Sequence, residues 1–303
     1  MKFPRAPVRS SRRLAKAACA LALVVAAGCS GRSCAWRRVL PFAAESGGGA
    51  PPPVSAGTRA VVEISDDQSV LVTHADPKSR VAIVYLHGRC AHPDVDVASW
   101  AEAATHEGTL VALVADQPSC PGIEPAATRW TSDLESIHAR IQAALAAVST
   151  ARDGALDVSD VTLIGYSEGA ARAELLAGRY PEHYRRLVLI GAPEVPSLLH
   201  LKHARAVAFV SGEKDRQDLM KTGQQSFAIA GARARFFELP GAAHGEFGPE
   251  GGRVMSEVLA WLGATDEGPK PTPSQTPTPS QTPSPPQTPS QTPTPAPTLT
   301  RRP

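Results

Sequence analysis

Between residues 58 and 264 the chain alternates short apolar runs with amphipathic ones, and this alternation restricts its fold more than any other feature. Arg80–Leu86 (RVAIVYL) is apolar at nearly every position, as expected for a strand covered on both faces. Thr109–Ala115, Val161–Gly165, Arg186–Ile190, Ala206–Val210 and Arg235–Leu239 read as further strands. Thr58–Ile64 and Ser69–His74 read as a hairpin ahead of them. Helices are expected over Val97–His106, Thr128–Val148, Glu168–Ala177 and Pro249–Leu262. The second carries Trp130, Leu134, Ile137, Ile141 and Leu145 at helical spacing, and the third is ended by Gly178 and Pro181. Strands alternating with helices predict an α/β fold, a mostly parallel sheet with helices on both faces. In such sheets ligands meet the carboxyl ends of the strands.

The two ends of the chain are built differently. Lys2, Arg5, Arg9, Arg12, Arg13 and Lys16 form a basic segment ahead of the apolar run Ala17–Ala27. That run is too short to span a bilayer as a helix and reads as a signal peptide over residues 1–29. Ala26-Ala27-Gly28-Cys29 resembles a bacterial lipobox, which makes Cys29 the expected lipidated residue, with ordinary cleavage nearby as the alternative. Residues 30–57, with Gly47-Gly48-Gly49 and Pro51-Pro52-Pro53, read as a flexible linker. Residues 265–303 repeat Pro, Thr, Ser and Gln, which offer little to bury, so a disordered or polyproline II tail is expected. What lies between, residues 58–264, is one domain's length. The expected location is the bacterial cell envelope or the outside of the cell, with the membrane contacted only through the N-terminal lipid.

Composition narrows the partners. The chain has 31 basic and 29 acidic residues, for a net charge of +2. That balance argues against nucleic acid, which requires a concentrated basic face.

The chemistry-bearing residues fall at strand ends. Val161–Ile164 runs into Gly165-Tyr166-Ser167-Glu168-Gly169 and then into a helical pattern. A nucleophile on so sharp a turn needs small neighbours two residues either side, and the following helix N-terminus favours developing negative charge. Ser167 is the expected nucleophile. Serine needs a base, and His244 follows the strand Arg235–Leu239 in a Gly-rich loop. The base needs an orienting acid. Asp215, a few residues past Ala206–Val210, is the leading candidate, with Glu213 and Asp218 as rivals and helix capping as its alternative role. Oxyanion donors are expected from the backbone N–H of Glu168 and of Arg89, the latter in the loop His87-Gly88-Arg89 after Arg80–Leu86. The Glu168 carboxylate, in the first turn, is read as capping its helix or, less favoured, as binding a cationic substrate group.

His-Gly loop, nucleophile elbow, Asp and His, in that order, resemble the α/β-hydrolase superfamily over residues 58–264. The resemblance implies an eight-stranded, mostly parallel sheet, ester hydrolysis through an acyl-enzyme, and no metal or organic cofactor. The superfamily often inserts a cap where this chain has only about Ala192–Arg205, so no cap is expected, and an open site suits small or polymer-borne acyl substrates. The superfamily's strand order makes the strands preceding Cys90 and Cys120 neighbours, which implies a Cys90–Cys120 disulfide, in keeping with an oxidising compartment. A serine peptidase with the same triad, and a non-catalytic surface module on the same fold, are the competing readings. Substrate and oligomeric state are not legible.

Overall fold

The computed structural model describes residues 37–38, 55–65, 67–120, 127–154 and 156–264. The signal segment 1–29 with Cys29, the tail 265–303, and the 30–57 linker except residues 37–38 and 55–57 lie outside the described residues.

The elements, in chain order, are β1 (Arg37–Arg38), β2 (Arg59–Val62), β3 (Val70–Thr73), β4 (Val81–Leu86), α1 (Pro93–Val97), α2 (Ala101–Ala104) and β5 (Thr109–Leu113). There follow β6 (Gln117–Cys120), β7 (Ala127–Arg129), α3 (Leu134–Thr150), β8 (Asp157–Tyr166), α4 (Glu168–Arg179) and β9 (Arg186–Ile190). The last are α5 (Leu198–Leu201), β10 (Ala206–Gly212), α6 (Gln217–Ile229), β11 (Ala234–Leu239) and α7 (Gly251–Gly263). The main sheet runs β1-β2-β3-β5-β4-β8-β9-β10-β11. Among the described residues it has nine strands, the expected eight and the two-residue edge strand β1. β3 is antiparallel to both β2 and β5, and every other pair is parallel.

The apolar runs explain the centre of the sheet. β5, β9 and β10 are buried at every residue, and β4 at all but its first. α3 covers one face with Ile137, Ile141, Ala144, Leu145 and Val148. From β4 the chain steps to β5 on one side, then returns to β8 on the other. The carboxyl ends of β4 and β8 therefore flank a topological switch point, where an open α/β sheet leaves a crevice.

Three expected elements are corrected. The helix expected over Thr128–Val148 begins only at Leu134. Asp133 caps it, its carboxylate accepting from the amides of Glu135 (3.1 Å) and Ser136 (3.4 Å), a contribution of about 1 kcal/mol. Ala127–Arg129 instead pairs antiparallel with Gln117–Cys120, a small second sheet not expected from the sequence. The helix expected over Val97–His106 is two short ones, α1 entered at Pro93 and α2 starting after Trp100. Gly178 lies within α4 rather than ending it, and the helix stops at Arg179 ahead of Pro181.

Residues 191–205, between β9 and β10, hold only α5, and none of the described residues builds a cap over the carboxyl edge of the sheet there. Among the described residues no helix is long and apolar enough to cross a membrane.

Candidate active site

Ser167 stands between β8 and α4 with φ 49° and ψ −113°, left-handed backbone that L residues rarely adopt. The surroundings fix it there. Its amide donates to the Ile190 carbonyl at 2.8 Å. A Cβ added at Gly165 would overlap the Gly169 carbonyl, and one at Gly169 would overlap the Leu86 carbonyl oxygen. The two glycines let α4 start against the ends of β8 and β4, and the turn between them carries Ser167 at its apex. The Ser167 side chain makes no capping bond to α4.

His244 brings the site together. Its Nε2 lies 3.0 Å from Ser167 Oγ, and its Nδ1 lies 2.8 Å from Asp215 Oδ2. With the Nδ1 proton donated to the carboxylate, Nε2 is free to accept from the serine hydroxyl. Asp215 is 8% exposed at its side chain while His244 is 51% exposed, so the carboxylate is fixed and the imidazole faces solvent. Asp215 Oδ1 accepts from the Arg216 amide at 2.7 Å. The capping position of α6 is Arg216, so one Asp215 oxygen holds the start of the helix and the other is left for His244. The rivals point elsewhere: Glu213 accepts from the Gly241 amide at 2.7 Å, and Asp218 lies in the first turn of α6.

Strand order and elbow together define the architecture. The fold is the α/β-hydrolase fold. No family model matches the chain, and no curated protein sequence matches it. Among solved structures it is similar to esterase PE8, at 18% identity over 63% of this chain and 97% of that one, with a TM-score of 0.49. It is similar to a truncated carbohydrate esterase from gut microbiota, at 15% identity over 70% of this chain and 99% of that one, with a TM-score of 0.48. It is also similar to a carboxylesterase from Bacillus cereus, at 18% identity over 67% of this chain and 94% of that one, with a TM-score of 0.44.

The expected oxyanion residues meet beside Ser167. Glu168 opens α4, and the loop after β4 passes close enough that a Cβ on Gly88 would stand 3.4 Å from Ser167 Cβ. Among the described residues, neither the Glu168 amide nor the Arg89 amide donates to a protein acceptor. The side chains of this pair hold each other: Arg89 Nη2 and Nε donate to Glu168 Oε1 at 3.0 and 3.2 Å. Glu168 Oε2 accepts from the Trp130 amide at 3.1 Å. The Glu168 carboxylate is thus committed to joining the β4 loop and the end of β7 to α4, and does not cap its own helix.

The β4 loop is pinned from several sides. The disulfide Cys90–Cys120 joins it to β6, with Cα atoms 5.6 Å apart and the cysteines 30 positions apart in the sequence. The Cys90 amide donates to the Thr128 carbonyl at 2.9 Å. The buried His87 accepts from the Ala115 amide through Nε2 (2.9 Å) and donates through Nδ1 to the Gly88 carbonyl (2.7 Å). Burial lowers its pKa to about 4, which keeps the ring neutral and this tautomer in place. Trp130 Nε1 donates to the His87 carbonyl at 2.8 Å.

Two residues of the site went unnoticed in the sequence. The Tyr166 hydroxyl accepts from the Gly245 amide at 2.6 Å and so holds the His244 loop, and its ring packs 5.6 Å from that of His244. Burial raises its pKa to about 12, so the hydroxyl stays protonated. Gly191 follows β9 at φ 52°, and a Cβ there would meet Asp215 Oδ2 at 2.9 Å and His244 Nδ1 at 3.4 Å. Its signal in the sequence is a glycine directly after the strand beside the elbow strand.

A cleft of about 330 Å³ opens at Ser167, lined by Gly191, Ala192, Pro193, Asp215, Arg216, Leu219 and His244. Among the described residues no group of three or more His, Cys, Asp or Glu is placed to hold a metal ion.

Proposed function

We propose that this protein is a serine esterase that cleaves carboxylic esters through an acyl-enzyme. The observation that carries the reading is the continuous chain Ser167 Oγ–His244 Nε2/Nδ1–Asp215 Oδ2, at 3.0 and 2.8 Å, on a left-handed turn ahead of α4. His244 removes the hydroxyl proton as Oγ attacks the ester carbonyl, and Asp215 steadies the imidazolium that forms. The tetrahedral oxyanion lies against the amides of Glu168 and Arg89, with the N-terminus of α4 behind them. Collapse breaks the C–O bond, and His244 returns the proton to the departing alcohol. A water molecule then repeats the sequence on the acyl-enzyme, releasing the acid and restoring Ser167. The exposed face of His244 gives that water access. The short 191–205 connection leaves the site open to small or polymer-borne esters.

We further propose that the protein is exported and anchored through lipidated Cys29, a reading that rests on residues 1–29 alone. The disulfide beside the site suits that location.

The test is hydrolysis of short p-nitrophenyl esters against a panel of peptide p-nitroanilides, with Ser167→Ala as control. The proposal expects Ser167-dependent turnover of the esters well above that of the peptides. Turnover of peptides alone would make the protein a peptidase, and no Ser167-dependent turnover of either would leave a binding module on a hydrolase fold.

A further inference from the structure

We infer that Arg216 selects substrates carrying an anionic group, such as a second carboxylate, on the part of the ester that fills the cleft beside Ser167. The inference deepens the ester-hydrolysing reading and rests on it. Of the eight residues lining the cleft, Ser167, Asp215 and His244 are engaged with one another. Both Asp215 oxygens are taken, one by His244 and one by the Arg216 amide. Gly191, Ala192, Pro193 and Leu219 supply apolar wall and no charge. Among the described residues Arg216 is the single cation of the lining.

Its guanidinium has no bonded partner among the described residues, and Asp215, the carboxylate of the same lining, is turned to His244. Among the described residues the Arg216 guanidinium forms no ion pair or hydrogen bond, and Asp218, nearby in α6, does not line the cleft. Arg89, the other arginine beside Ser167, is in contrast committed to Glu168. In the open cleft Arg216 is solvated at little cost. A ligand that fills about 330 Å³ next to it displaces part of that water. A neutral chain leaves the cation partly desolvated with no partner, whereas a carboxylate replaces the water with a charge-assisted, two-pronged contact. The same group therefore attracts acidic esters and discriminates against neutral ones of equal length. The volume is at the small end of ligand cavities, and the apolar wall suits a few methylenes between the scissile ester and the charge.

The test compares kcat/KM for mono-p-nitrophenyl adipate with that for p-nitrophenyl hexanoate, two acyl groups of equal carbon number. The wild-type ratio is expected to be roughly tenfold in favour of the adipate at low salt and to shrink as ionic strength rises. Arg216→Gln is expected to bring the ratio close to one, Arg216→Glu to invert it, and Arg216→Lys to keep part of it. Because each ratio is taken on one preparation, a partly unfolded variant does not distort it. A wild-type ratio at or below one, or the same ratio in wild type, Arg216→Gln and Arg216→Glu, overturns the inference. Ser167-dependent turnover of the hexanoate in that case leaves the esterase reading standing. If neither ester is turned over in a Ser167-dependent way, the esterase reading fails and this inference with it.

Discussion

Gly191→Ala is the substitution by which the geometry of the site is most exposed to refutation. Gly191 does no chemistry, yet its α-carbon faces the Asp215–His244 pair. An alanine there meets two penalties. The backbone is left-handed at φ 52°, which costs a non-glycine residue roughly 1–2 kcal/mol. The new Cβ would also stand 2.9 Å from Asp215 Oδ2, and ordinary contact begins near 3.4 Å, so the carboxylate must retreat by about 0.5 Å. That displacement falls directly on the 2.8 Å bond to His244 Nδ1. A misplacement of about 1 Å costs up to 10²-fold in rate, so half of it costs about tenfold, equivalent to ~1.4 kcal/mol of barrier. The expected result is a kcat/KM for p-nitrophenyl acetate about tenfold below wild type, with a melting temperature lower by roughly 2–8 °C. Gly231→Ala separates the two penalties, since Gly231 has φ 73° and nothing within 4 Å of a new Cβ. It should lose stability and keep full activity. If Gly191→Ala retains activity within twofold, the pairing of Asp215 with His244 does not limit the reaction and the assigned acid is wrong.

Tyr166→Phe removes the acceptor of the Gly245 amide and should cost about 1–2 kcal/mol of stability; kcat should fall more than KM changes, because the loop it holds carries His244. An unchanged kcat would show that His244 is held without this bond. Replacing Cys90 and Cys120 by serine opens a 30-residue loop, for a loss of about 3–4 kcal/mol by the chain-entropy relation, readable as a lower melting temperature that dithiothreitol no longer shifts. Stability should also fall with acidification. Burial, helped at His74 by Arg152, lowers the pKa of His74 and of His87 to about 4, so between pH 6.5 and 4 the unfolded chain takes up these protons and the folded chain does not. Asp96 acts in the opposite sense, since burial raises its pKa to about 6 and the folded state binds its proton first. Taken together these three groups account for a loss of about 2 kcal/mol from pH 7 to pH 5, and a melting temperature that is flat or rises over that interval would contradict it.

What the sequence revealed and what it hid divide along physical lines. Strands such as Arg186–Ile190 were legible because a parallel strand buried on both faces must be apolar throughout. The turn at Ser167 was legible because so sharp a strand-to-helix turn needs glycines at two fixed offsets, and the structure shows which carbonyls those glycines accommodate. The hairpin of β6 and β7 left no such pattern, since Gln117-Pro118-Ser119-Cys120 has neither an apolar run nor alternation. Trp130 was misread as helical because its spacing to Leu134 and Ile137 matches a helix; the better signal was Asp133, a capping residue directly before Leu134. Tyr166 and Gly191 escaped because their roles depend on contacts with chain 78 and 24 residues away, to His244 and Asp215, which no local pattern records. Arg216 likewise looks like any surface arginine until the cleft beside it is seen.

The central claim is that Ser167 is the nucleophile. Reaction of the intact protein with a fluorophosphonate probe, followed by peptide mass mapping, tests it most directly. One adduct is expected, on the peptide containing Gly165–Gly169, lost in Ser167→Ala and strongly slowed in His244→Ala. An adduct on another residue, or labelling that persists in Ser167→Ala, would contradict the account.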